Sequence, residues 1–133
     1  MGDARSWQFA TSSHTHADRV KHEFLALLHS YGGSDADYFS AEIIFGELLA
    51  NAVQHAPGTV DLTVRWTDDH ACLSVRTYGP PCLPGHRKAG LFDETGRGLQ
   101  IVSALSRDFR IENLNDGCFC ESVLPVRVHH ATA

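Results

Sequence analysis

Glu47 and Asn51 stand one helical turn apart in the run Phe45-Gly46-Glu47-Leu48-Leu49-Ala50-Asn51-Ala52-Val53-Gln54-His55. Residues at i and i+4 share a helix face. A carboxylate and a carboxamide therefore point the same way out of an otherwise apolar segment, where unpaired polar groups serve no packing purpose. The chemistry they suit is specific: an amide oxygen can hold Mg²⁺, and a carboxylate can orient an attacking hydroxyl or water. A second such stretch is Thr95-Gly96-Arg97-Gly98-Leu99, which opens another helical pattern. Gly96 and Gly98 remove side chains where a phosphate would approach, and the helix behind them offers free N–H groups and its positive dipole end. Alone, a Gly-x-Gly at a helix start reads equally well as a tight entry turn. The chain has no Gly-x-x-x-x-Gly-Lys-Ser/Thr run, so it is not a P-loop protein.

These stretches need a scaffold, and hydrophobic periodicity outlines one. Trp7 to Thr11 alternates and is expected to form a strand. Thr15 with Asp18 resembles a helix start, and Val20, Phe24, Leu27 or Leu28, and Tyr31 recur at helical spacing up to Gly32-Gly33. On that helix Arg19 and Glu23 form an i,i+4 pair, expected to be a solvated ion pair. Ser34 with Asp37 begins a second helix, ended by Pro57-Gly58. Gly46 within it costs about 1 kcal/mol relative to alanine, tolerable if something packs closely there. Val60 to Trp66 and Ala71 to Val75 alternate around Asp68-Asp69, an antiparallel hairpin. The stretch from Tyr78 to Gly90 is too rich in proline and glycine for regular structure. Tyr78 there is expected to stack on a base or to pack beneath the loop. A third helix spans roughly Gly98 to Ser106, and two strands, Phe109 to Glu112 and Cys118 to Leu124, turn at Asn115-Asp116-Gly117. Helices on one face of a mostly antiparallel sheet give an α+β two-layer sandwich, a single domain over residues 1–133.

Composition narrows the function classes. A chain of 133 residues with 43% apolar and 20% charged residues is ordinary for a soluble globular domain. A net charge of -5 argues against nonspecific binding of nucleic acid. No apolar run approaches the roughly 20 residues of a membrane span, and no apolar signal core follows the N-terminus, so a cytoplasmic location is expected. The four cysteines, Cys72, Cys82, Cys118 and Cys120, are expected to be reduced; with His86 they match no common zinc-ligand spacing.

Taken together, these motifs resemble the ATP-binding domain shared by histidine kinases, gyrase, Hsp90 and MutL, and most closely the stand-alone bacterial anti-sigma-factor serine/threonine kinases. Glu47 to Ala56 resembles the N box of that superfamily, and Asp93 to Val102 its second glycine box. The resemblance implies a Bergerat-type fold binding ATP and Mg²⁺ under a lid loop at about residues 79–95, with no direct nucleic-acid contact. It implies Glu47 as general base and Asn51 on Mg²⁺, with Gly96, Arg97, Gly98 and Leu99 around the phosphates. His55 is either a pocket residue or a helix cap, and Arg97 either a phosphate ligand or the partner of a surface carboxylate. The first glycine box of the superfamily corresponds to Arg76 to Pro81, so Thr77 stands where an adenine-binding aspartate is expected and Pro81 where a glycine often stands, with Gly79 among the implied cofactor-binding residues. Gln54 replaces a lysine common in sensor kinases. The implied function is that of a homodimeric regulator that sequesters a sigma factor and phosphorylates a serine or threonine of an antagonist protein. The alternative is a catalytically degenerate partner-binding module of the same fold, with weak or no nucleotide binding.

Overall fold

The computed structural model describes residues 4–55, 58–67, 69–79 and 97–128; the side chains of His55 and Arg97 also lie outside that set. The expected lid beyond Gly79, and Gly96, fall outside the described residues. The elements run β1 (Ala4–Ala10), α1 (His14–Tyr31), α2 (Tyr38–His55), β2 (Thr59–Trp66), β3 (His70–Tyr78), α3 (Arg97–Leu105), β4 (Asp108–Leu114) and β5 (Gly117–Arg127). The strands form one five-stranded sheet in the order β1-β2-β3-β5-β4, and every pairing is antiparallel. The expected α+β sandwich and the order of its elements are borne out. Among the described residues no helix is long and apolar enough to cross a membrane.

Strand alternation divides the sheet into a helix-bearing face and an open one. Val60, Leu62 and Val64 on β2, Leu73 and Val75 on β3, and Leu124 and Val126 on β5 are buried. Val20, Phe24 and Leu28 of α1 and Ile44, Phe45 and Leu48 of α2 cover them, with the rings of Phe24 and Phe45 stacked at 4.8 Å. Burying each such side chain contributes about 1.5–3 kcal/mol, so this layer contact dominates the stability of the domain. On the open face Glu121 lies between Arg65 and Arg110, at 2.6 and 3.2 Å.

Both long helices start later or earlier than capping patterns suggest. Ser13 caps α1, its side chain accepting from the His16 amide, two residues before Thr15. Asp37 caps α2, accepting from the Ser40 amide at 3.0 Å and the Ser40 hydroxyl at 2.6 Å. The site of the helix start is therefore Asp37 rather than Ser34. Gly32 ends α1 with ordinary φ of -82°; a Cβ there would fall 2.5 Å from the Tyr38 hydroxyl and 2.9 Å from Val126. Its role is close packing, not left-handed geometry.

Three expectations are corrected by the packing. Glu23 does not pair with Arg19; it accepts from Arg5 at 2.6 Å and from Trp7 Nε1 at 2.9 Å, tying α1 to edge strand β1. Gly46 is exposed, and no described atom would lie within 4 Å of a Cβ there. Cys72 and Cys120 are free, but Cys118 is disulfide-bonded, so the cysteines are not all reduced.

Candidate functional site

The site is built where α2 passes the start of α3. The apolar side of α2 is anchored by Ile44, Phe45, Leu48 and Ala52, so Glu47 and Asn51 are turned to its flank and stay half-buried. Leu99 and Val102 anchor α3 in the same core. Its first turn is thereby pressed against α2, and Gly98 faces Glu47. A Cβ built on Gly98 would fall 2.5 Å from Glu47 Oε1. Only glycine lets the carboxylate and the helix start share that space. Glu47, Ala50, Asn51, Gln54 and Gly98 line a recess of about 80 Å³.

The donor set suits a magnesium–phosphate group. A carboxylate and a carboxamide supply hard oxygen ligands, and the missing side chain at Gly98 is what lets the Glu47 carboxylate lie against the first turn of α3. The fit rests on residues present: Glu47 and Asn51 bring a carboxylate and a carboxamide to one recess beside Gly98.

Other expected site residues fall into three groups. The Leu99 side chain is buried in the core, so its possible contribution is its backbone N–H. Thr77 is buried near the end of β3, opposite Val60 on one side and Cys118 on the other, on the helix-bearing face with Leu73 and Val75. Gly79 follows with φ of +118°, a conformation that side chains disfavour, and its amide donates to Asp116 O at 2.7 Å. His55 and Arg97 are the last residue of α2 and the first of α3, respectively; their side chains are not among those described.

Tyr78 corrects the expectation of base stacking. Strand alternation turns it to the open face, where its hydroxyl donates to Asp61 and the Arg76 guanidinium lies 4.3 Å from its ring centre. The Asp61 carboxylate holds the phenol pKa above its ordinary 10.0. Sequence reasoning also passed over Ala50 and Gln54 as lining residues. Their signal was present: Gln54 lies seven residues beyond Glu47 and three beyond Asn51, on the same helix flank.

No curated protein matches the chain. The profile of the histidine kinase-like ATPase domain matches residues 10–120, a span that runs from the end of β1 into β5 and includes Glu47, Asn51, Thr77 and Gly98. The chain belongs to the histidine kinase-like ATPase domain family.

Proposed function

We propose that the chain binds Mg-ATP between α2 and α3 and transfers the terminal phosphoryl group to a serine or threonine of an antagonist protein, while holding a sigma factor inactive. The observation that carries this reading is the Glu47 carboxylate lying against Gly98 at the start of α3. In this reading Asn51 supplies the carboxamide oxygen for Mg²⁺, which when bound neutralises phosphate charge. Glu47 orients the incoming hydroxyl and accepts its proton. Backbone N–H groups at Gly98 and Leu99 stabilise charge on the transferred group. The protein works as a cytoplasmic homodimer, with the sigma factor and its antagonist as partners.

A specific observation favours a second reading, a partner-binding module with weak or no nucleotide affinity. Thr77, buried on the helix-bearing face of β3, offers a hydroxyl where the resemblance calls for a carboxylate. Calorimetric titration with Mg-ATP and ADP separates the two. Micromolar binding, followed by Glu47-dependent phosphorylation of a captured antagonist, supports the kinase. Absence of binding at millimolar nucleotide overturns it and leaves the binding module.

A further inference from the structure

A second, larger cleft of about 360 Å³ lies at the opposite ends of the same helices, where α2 begins and α3 has just ended. Pro125 and Ala36 contribute apolar surface, and His70, Arg107, Arg127 and Asp35 bring charge or polarity to it. Its volume falls at the lower end of the range for small-molecule pockets, about 300–1,000 Å³.

The walls are fixed to one strand. The loop between α1 and α2 is tied to β5 by Gly33 N donating to Arg127 O at 3.1 Å and Asp37 N to Pro125 O at 3.0 Å. The turn between β2 and β3 is held by Val128 N donating to Asp69 O at 2.8 Å, and the segment after α3 by Arg107 N donating to Val123 O at 2.8 Å. Three separate chain segments thus converge on β5 and the residue that follows it, Val128, through backbone hydrogen bonds, so the cleft is formed before any ligand arrives, which lowers the ordering cost of binding.

Two of its four Asp and Arg side chains, Asp37 and Arg127, already have partners. Asp37 spends both carboxylate oxygens on Ser40. Asp69 accepts from His70 Nδ1 at 2.7 Å and lies 3.9 Å from Arg127. Two exposed lining residues differ: among the described residues, neither the Arg107 nor the Asp35 side chain has a hydrogen bond or ion pair, although Arg107 feels the more distant charge of Asp69. A pure anion entering here meets Asp35 and Asp37; a pure cation meets Arg107 and Arg127. Either is opposed by like charge, whereas a ligand carrying both signs is opposed by neither.

We propose that this cleft binds a small zwitterion of the amino-acid class, with a carboxylate on Arg107 and a cationic amine on Asp35. The ligand is either a free amino acid or a short peptide; both present the same pair of groups.

The test is titration of the full chain, without nucleotide, followed by amide NMR shifts. The probes are glycine, 4-aminobutyrate, lysine and triglycine, which vary the separation of the two charges, with N-acetyl amides as capped controls. At least one uncapped probe is expected to bind with Kd of about 1 mM or tighter, shifting the amides of Ala36, Asp37 and Arg107. A preference for triglycine marks a peptide, and a preference for the others a free amino acid. Arg107→Gln and Asp35→Asn, both exposed and therefore expected to fold as the parent does by circular dichroism, should each weaken binding at least about tenfold, the loss of one charged hydrogen bond. Capping either end should do the same. The proposal is overturned if no probe shifts those amides at about 10 mM, if both variants bind as the parent does, or if capped probes bind equally well.

Discussion

The Glu47 carboxylate occupies the space that a side chain at position 98 would need: a Cβ on Gly98 would stand 2.5 Å from Glu47 Oε1. Gly98→Ala therefore sets two effects against each other. Alanine gains up to about 1 kcal/mol of helix propensity over glycine, and the atom it displaces is the far end of a half-exposed, flexible side chain. Stability should stay within about 1 kcal/mol of the parent. Phosphoryl transfer should fall at least tenfold (about 1.4 kcal/mol), because Glu47 is moved from its position. Paired measurement of unfolding temperature and transfer rate checks both; a loss of folding equal to the loss of activity contradicts the positional account.

The division of labour on α2 is open to direct measurement. Under the proposed kinase reading, Glu47→Ala should abolish phosphoryl transfer while Mg-ATP affinity changes little, because that reading has the carboxylate act on the incoming hydroxyl. Asn51→Ala should weaken binding of Mg-ATP itself. Calorimetry and single-turnover transfer, run on the same two variants, read the difference, and identical profiles for both would remove the assigned roles.

Thr77→Asp puts a carboxylate at a buried position on the helix-bearing face of β3. Without ligand the variant should unfold at a lower temperature, since an unpaired buried charge is costly. With Mg-ATP the affinity should rise about tenfold to a hundredfold, corresponding to a charged hydrogen bond of about 1.5–3 kcal/mol. Unchanged affinity would mean that Thr77 does not contact the adenine.

Acid stability should depend on the cap of α2. Hydrogen bonds from the Ser40 side chain, and then from its backbone amide, hold the Asp37 pKa below its ordinary 3.8. A carboxylate with a depressed folded pKa contributes stability that is complete above the unfolded value and is lost as pH falls through the lower, folded one. The parent should therefore lose more stability than Asp37→Asn on acidification from about pH 5 downward. Asp69 and Asp116 are depressed too, by His70 and Arg76, so the informative quantity is the difference between parent and variant in unfolding temperature against pH.

Gly32→Ala should destabilise the domain by about 1–3 kcal/mol, the usual cost of overpacking, because its Cβ would collide with the Tyr38 hydroxyl and Val126. Denaturant unfolding measures it. The additional change Tyr38→Phe removes the hydroxyl nearest the new atom and should restore part of the loss, an outcome that a purely conformational role for glycine does not give.

Much of this was legible in the residues because alternation and helical spacing are local signals. Val60 to Trp66 announces β2, and Glu47 with Asn51 announces a polar helix flank, which lines a recess. The true caps are hidden by Ser-x-x-Asp-like patterns: Thr15 with Asp18 carries one while the real cap, Ser13, has His16 three residues on, and Ser34 with Asp37 masks Asp37 itself. Helical spacing pairs Glu23 with Arg19, and no local pattern reveals that Arg5 and Trp7 on β1 lie closer. The position of Tyr78 follows from strand parity, which places it opposite to Thr77. The cleft around Pro125 was not legible at all, since the segments that meet there converge only through β5.

The place of β5 between β3 and β4 also shapes how the chain is made. A ribosome delivers β3 and then β4 before the strand that joins them. Until Gly117–Arg127 emerges, one edge of β3 has no neighbour, and Leu73 and Val75 sit on a half-built sheet. Such an edge invites pairing with other chains, so the nascent protein passes through an interval of exposure that ends only when its penultimate strand in space, the last in synthesis of those described, slots into the gap.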